Sequence, residues 1–504
     1  MKKDSVIMIR SWMKRNSVYD SIFLILFLFA ITFIVLSKSP LHFWLNSDSE
    51  TDSSVFKTIA MIIDKGYVPY RDSFDHKGPL VYFLNYLGMH IARYRGTWLI
   101  EFAAVFFTFY FMYQIGCLCC HNLHAAVALL FTSAPLFTFY ESGNKVEEFA
   151  MPFIALSLYY FLDYLMNSRI SVYRLILCGV SLGAVCLLRA NMISVWIVFC
   201  VSIAVILCRQ KKISELIRFI LYFLGGFLVF VLPFIFWLAY HNAIGAFWEQ
   251  YIIFNAKYCG HASLSQIWIT YFFSLEHKTV LFALIVDVCL FVRQRNRLFG
   301  IYTLYMIVSF LMLSLSGRTY LHYNIVTVPA LIFPITALYG LCEQQWKNTA
   351  GRTGILLLTV CLLTGTLHAE WIPPVQDLAR IYQERHEEHF SEQLRNVCRL
   401  IDEKTDASDK ISVYGNWDLV YVMSDRMHAT HYSYQAPVGT IDPEIKERYF
   451  DELENEKPKI IVSRKCDMDD RMEHFLDDHD YCLLWLEDVS WGNGEESAVV
   501  YIRQ

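Results

Sequence analysis

Long apolar runs separated by short charged turns make up the first three quarters of the chain. About 20 consecutive apolar residues suffice to cross a bilayer as a helix. Runs of this kind lie at about 20–37, 97–116, 124–140, 149–165, 174–190, 192–208, 218–240, 278–292, 299–316, 324–342 and 353–371. They predict about 11 transmembrane helices. Two other stretches, 79–92 and 243–258, are apolar or amphipathic but do not read as spans, and suit helices lying at the membrane surface. After Pro373-Pro374 the pattern changes. Residues 375–410 are strongly charged with a helical period. Lys410–Gly415, Lys459–Ser463, Tyr481–Leu486 and Ala498–Ile502 read as strands. Ile441-Asp-Pro-Glu opens a helix, with Asp442 as N-cap and Pro443 in the first turn. Strands alternating with helices predict a small α/β domain. The expected division is a transmembrane domain over 1–372, with a first outer loop at 38–96, and a soluble α/β domain over 373–504.

Charge sets the expected orientation. Lys2, Lys3, Arg10, Lys14 and Arg15 precede the first span and place the N-terminus in the cytoplasm. Counting onward, the turns holding Arg169 and Arg174, then Arg209, Lys211 and Lys212, then Arg293, Arg295 and Arg297, then Lys347 and Arg352 all fall on that side. The loop 38–96 and the residues after about 372 are then outside. The shortest outer turn holds Arg189 and Asn191. Composition agrees with a membrane protein: 55% of residues are hydrophobic and only 18% are charged, too apolar for a soluble chain of 504 residues. A net charge of −5 without a basic patch argues against nucleic acid. The 14 cysteines fall mostly within apolar runs, where a thiol acts as a small hydrophobe, and indicate no disulfide framework. No cleavage site follows the first apolar run, which reads as an anchor.

Four polar clusters at the outer side are candidates for chemistry, because carboxylates beside a bilayer are costly unless solvated or paired. The first is Asp48, Glu50 and Asp52. Asp52 immediately precedes the amphipathic run beginning Val55-Phe56, which places it at a helix start. The second lies in Gly66-Tyr-Val-Pro-Tyr70-Arg-Asp72-Ser-Phe-Asp75-His76-Lys77-Gly-Pro79. There Lys77 precedes a surface helix and can meet a lipid phosphate as a point charge, with Asp75 able to orient it. The third is Asn144, Glu147 and Glu148, before the fourth span. The fourth is Arg318, Tyr320, His322 and Tyr323, cationic and aromatic groups able to bind a phosphate. Arg189, Asn255, Lys257 and Tyr258 are further candidates on the same side. The plain alternatives are a solvated loop, a snorkelling lysine, acids complementing a helix dipole and interfacial anchors. Cys117, Cys119, Cys120, His121 and His124 match no common zinc spacing, and no metal set is assigned. The C-terminal region has no G-x-G-x-x-G fingerprint, so no nucleotide is assigned to it.

Asp52-Ser-Ser-Val-Phe, the Gly66–Leu80 segment with Tyr70 and Lys77-Gly-Pro-Leu, Glu147-Glu148-Phe and Gly317-Arg-x-Tyr-x-His-Tyr resemble the bacterial GT-C glycosyltransferases. These are relatives of the protein O-mannosyltransferases and of the lipid A aminoarabinose transferase. The resemblance extends over roughly 1–370. It implies a polytopic α-helical plasma-membrane protein of a bacterium, with a GT-C-like fold. It implies a polyprenyl-phosphate-linked sugar as donor and a glycan, lipid or protein acceptor, and leaves a divalent cation open. Asp52 matches the first-loop catalytic aspartate, Glu147 or Glu148 the second-loop acid, and Lys77 the lysine that faces the lipid phosphate in relatives. Two departures stand out. Ser53 follows Asp52 where many relatives have a second acid, and Gly78 replaces a proline.

The chemistry fits this implication. Outside the cytoplasm nucleotide sugars are generally absent, so a donor must arrive on a lipid. A phosphate leaving group needs cationic stabilisation, and what remains is a base for the acceptor hydroxyl. Single displacement at the anomeric carbon would invert its configuration. A transporter or lipid flippase would instead carry charges along a path through the membrane, with repeats. Asp163 and Asp287 are the notable acids near or within spans, each close to a cytoplasmic end, and no repeats are visible. A non-catalytic envelope-assembly protein is the third reading.

Overall fold

The structure, a computed structural model, describes residues 18–45, 47, 52–92, 95–168, 171–260, 262–387, 389–436, 438–487 and 497–504. It divides into two compact units. The first comprises 1–42, 98–234 and 261–383, and the second 43–97, 235–260 and 384–504.

All eleven predicted runs are helical. Eight helices among the described residues are long and apolar enough to cross a membrane, from Tyr19–Lys38 to Thr349–Gln383. The chain is a multi-pass membrane protein. Three of the predicted spans fall short of that length: Val172–Cys186, Ser194–Arg209 and Lys278–Gln294. The first two are cut by the Leu187–Ile193 turn that carries Arg189. The last helix runs further than the sequence suggests, through Pro373 and Pro374 to Gln383. A π-helical segment, Leu367–Trp371, precedes Ile372. The prolines therefore enter where the hydrogen-bond register changes, and their missing N–H groups do least harm.

In the first unit, helix Val172–Cys186 lies backbone-close to Ile213–Phe234. A Cβ on Gly179 would stand 2.0 Å from the Phe223 carbonyl oxygen, and one on Gly226 would stand 2.1 Å from that of Ile176. Small residues are what allow such an approach between apolar helices.

The second unit gathers the first loop, residues 235–260 and the C-terminal region. Helix Asp52–Asp64 sends Met61 into the core formed by helix Glu392–Lys404 and the sheet, with Ile401, Ile411, Trp417 and Val462. The predicted surface segments are helical: Pro79–Ala92, and 244–260, where residues 248–253 form a π turn. Strands β1 (Lys410–Tyr414), β2 (Met427–His428), β3 (Ile460–Arg464), β4 (Tyr481–Leu486) and β5 (Ala498–Arg503) form one mixed sheet, ordered β2-β1-β3-β5-β4. The first three are parallel and the rest antiparallel. The helix expected to start on Asp442 starts at Glu444, with Pro443 as its cap and no side-chain capping bond. Asp442 instead pairs with Lys257 at 2.8 Å.

Candidate functional site

In the second unit the candidates surround the tight loop from Gly66 to Gly78. Tyr70 adopts a left-handed backbone, φ +68°, which a bulky residue rarely tolerates. Three bonds hold it there. Its N–H donates to the Ser73 carbonyl at 2.9 Å, its carbonyl accepts from Gln250 Nε2 at 2.7 Å, and its hydroxyl donates to the Lys77 carbonyl at 2.6 Å. The ring is buried edge-on against Phe247 and Tyr82. Asp72 accepts from Arg71 Nη2 and from the Val68 N–H, each at 2.7 Å. Burial raises its carboxyl, but these two donors prevail and hold it below the usual carboxylate range.

Asp75, 1% exposed, does not reach Lys77 itself. Its oxygens accept from Tyr82 at 2.7 Å, Tyr434 at 2.8 Å and the His76 N–H at 2.7 Å. Burial and then the Asp75 charge push both tyrosine hydroxyls well up, so they stay donors. Asn255 Nδ2 donates to the His76 carbonyl at 2.6 Å, while Tyr258 stacks on the His76 ring and Phe254 tilts against it. His76 Nε2 lies 2.9 Å from Lys77 Nζ. Among the described residues no carboxylate pairs with that ammonium. The loop thus fixes the lysine backbone through Tyr70 and Tyr82, with no carboxylate among the described residues on its ammonium.

Asp52 is the first residue of helix Asp52–Asp64 and is half-buried, the helix-start position its sequence indicated. Asp48 and Glu50 lie outside the described residues. The sequence reading missed Lys57, a lysine only 1% exposed on the same helix, and Asp418, which follows β1. Asp418 is fully buried, and its carboxyl is pushed up to about 7, first by burial and further by the Asp75 charge. The hydroxyls of Ser433 and Thr58 oppose that rise, but neither makes a well-formed hydrogen bond to the carboxylate.

In the first unit, Glu147 and Glu148 open helix Val146–Asn167 and both are buried. Glu147 accepts from Arg189 Nη1 at 2.7 Å, and the guanidinium lies 4.1 Å from the centre of the Tyr323 ring. Glu148 accepts from the Tyr140 hydroxyl at 3.0 Å. Beside it is Glu101, fully buried, which accepts from Ser39 Oγ and from the Asn144 N–H. An acid within the apolar run 97–116 was the signal for Glu101. His322 Nδ1 lies 2.6 Å from Glu141, and that bond holds the Glu141 carboxyl below its usual range. Tyr320 stacks on the same imidazole. Arg318 is exposed in the turn before Leu321. His124 hydrogen-bonds Glu343. Among the described residues no three metal-binding side chains cluster.

In its fold the chain is similar to solved GT-C structures. Over 96% of this chain and 98% of the other, it superposes on ArnT from Cupriavidus metallidurans bound to undecaprenyl phosphate, with TM-score 0.55 and 13% identity. The apo state of the same protein gives the same coverage and TM-score at 14% identity. The apo oligosaccharyltransferase of Archaeoglobus fulgidus matches at TM-score 0.50 and 12% identity, over 90% of this chain and 70% of that one. The chain belongs to the family described as "Putative competence-induced protein Ccs4 N-terminal domain", whose model matches residues 10–354. No curated protein matches.

Proposed function

We propose that this protein is a membrane glycosyltransferase that moves a hexosyl or pentosyl group from a polyprenyl-phosphate donor to an acceptor hydroxyl on the outer face of the plasma membrane. The observation that carries this reading is Lys77, an ammonium without a carboxylate partner among the described residues, on a loop braced by Tyr70, Tyr82 and Asn255. A compact cation so placed suits a phosphate monoester or diester. ArnT, similar in fold along its whole length, binds undecaprenyl phosphate, which supports a lipid phosphate in particular.

In this mechanism Asp52 takes the proton of the acceptor hydroxyl. The acceptor oxygen forms a bond to the anomeric carbon as the bond from that carbon to the phosphate oxygen breaks. The electron pair leaves with the polyprenyl phosphate, whose charge Lys77 balances, and the configuration inverts. Tyr258 and Asn255 support the His76–Lys77 segment. Within the helical unit, Glu147 and Glu148 are candidate acids, and Arg318, His322 and Tyr323 candidate groups for binding a phosphate. Residues 1–372 form the transmembrane catalytic domain and 373–504 an extracytoplasmic domain, with the N-terminus in the cytoplasm.

The test is donor turnover by purified protein in lipid, with a panel of radiolabelled polyprenyl-phosphate sugars and cell-envelope extract as acceptor. Wild type is expected to release free polyprenyl phosphate from one donor, and Asp52→Asn to lose that release at normal expression. Full turnover by Asp52→Asn would remove Asp52 as the base, and no turnover of any donor by folded wild type would sink the reading as a whole.

A further inference from the structure

We propose that Tyr434, from the loop after β2, is a positioning residue for the Lys77 ammonium and acts through Asp75 and His76. All four residues lie in the second unit. The parallel strands β2-β1-β3 end at one edge, the edge where α/β sheets usually present ligand-binding loops. Here the β2 loop grips protein instead. The Phe74 N–H donates to the His431 carbonyl at 2.8 Å, and the Tyr434 hydroxyl donates to Asp75 Oδ1 at 2.8 Å. Asp75 sits in an aromatic surround where an unpaired carboxylate would be costly, so its hydrogen bonds fix its orientation. Tyr82 holds Oδ2, while Oδ1 takes both Tyr434 and the His76 N–H.

The link to Lys77 follows from the donor and acceptor roles of the groups. An ammonium only donates, so His76 Nε2, 2.9 Å from Nζ, must accept. The imidazole proton then sits on Nδ1, which lies 3.4 Å from Asp75 Oδ1. A carboxylate held on that side favours that tautomer. Without the Tyr434 hydroxyl, Asp75 keeps only Tyr82 and the His76 N–H, its carboxylate is held less firmly beside Nδ1, the tautomer loses part of its bias and the lysine tip is held less well by its acceptor. The C-terminal sheet would thereby set the charge geometry of the first loop. What the ammonium binds rests on the proposed function, whereas its positioning does not.

The experiment uses full-length protein in lipid nanodiscs. The acylation rate of Lys77 by an amine-selective reagent is read by peptide mass spectrometry, with Lys65 and Lys257 as internal references. Binding of undecaprenyl phosphate is measured on the same samples. Tyr434→Phe is expected to raise Lys77 acylation several-fold, leave both reference lysines unchanged and weaken undecaprenyl phosphate binding several-fold. Tyr432→Phe, at a neighbouring ring that also packs on Phe74, is expected to change none of these. An unchanged Lys77 rate in Tyr434→Phe, or an equal rise at all three lysines, overturns the proposal. If the Lys77 rate rises alone but Lys77→Ala binds undecaprenyl phosphate as wild type does, the positioning stands and the phosphate-binding role falls. Should Tyr434→Phe fail to accumulate, Asp75→Asn preserves the shape of the loop and is read in the same way.

Discussion

Glu147 and Lys77 are both ions at or just before the first turn of a helix, but the two units treat them differently. Glu147, in the helical unit, has the sign that a helix N-terminus favours. It also has a partly buried partner in Arg189, backed by the face of Tyr323. Lys77, in the loop-and-sheet unit, precedes helix Pro79–Ala92 with the opposite sign, and among the described residues no acid pairs with it. It stays in place because tyrosine and asparagine side chains grip its backbone and that of His76. The first arrangement lowers the energy of the folded chain by satisfying the ion. The second holds in place an ion with no carboxylate partner among the described residues, as anion binding requires. Removing each ion should therefore move different observables.

The largest loss of stability is expected for Arg189→Ala, which strands the Glu147 carboxylate, only 2% exposed. Breaking one side of a buried pair costs about 3–5 kcal/mol. A double replacement of Glu147 and Arg189 by methionine is expected to recover most of that loss in thermal melts in detergent. If Arg189→Ala melted like wild type, the contrast between the two ions would collapse.

A second expectation asks whether the loop-and-sheet unit also bears a cost for a buried charge. The Asp418 carboxyl is pushed from 3.8 up to about 7, by burial first, so the folded state binds a proton that the unfolded state has lost. Stability should therefore fall as pH rises from about 4 to about 7, by roughly 1.4 kcal/mol per pH unit from this group, and level off above. Asp418→Asn is expected to flatten that slope and to melt higher than wild type above pH 7. An unchanged slope would show that the carboxylate finds solvent or a cation.

Smaller again is Tyr140→Phe. It removes the hydroxyl that Glu148 accepts, and an unmet buried acceptor costs about 1–3 kcal/mol. A melt near the wild-type value would show that another donor meets the Glu148 carboxylate.

How far the sequence foretold this arrangement follows from the range of each interaction. The helical runs were legible because some 20 apolar residues have few other places to go. The same pattern is blind to a π turn such as 248–253, which shifts register without changing composition. It is equally blind to β2, two residues long. The charges and aromatics of the loop 66–78 mark it as a site in the sequence, with Lys77 among them. The tyrosine that steadies it is not so marked, since Tyr434 and Asp75 are 359 positions apart and no local period joins them. From the sequence Asp75 reads as able to orient Lys77 or as a plain turn residue, and sequence proximity does not reveal that the His76 ring lies near Asp75 on one side and Lys77 Nζ on the other. Glu101 is legible in principle, as an acid in an apolar run.

The smallest effect on melting is expected for Lys77→Met, and it bears most directly on the contrast. The variant keeps the length of the stem, and the bonds that secure this loop run to main-chain atoms or to Asp75, none of which it changes. The one bond lost is to His76 Nε2, at a partly exposed position. A shift of about 0.5 kcal/mol or less is therefore expected, the range of a substitution away from any packed feature. Undecaprenyl phosphate binding should fall by a factor of about ten or more, the loss of one charge-assisted contact worth roughly 1.5–3 kcal/mol. A variant that melted many degrees lower would mean that the ammonium supports the loop, as Arg189 supports Glu147. The two ions would then be the same kind of device with opposite signs.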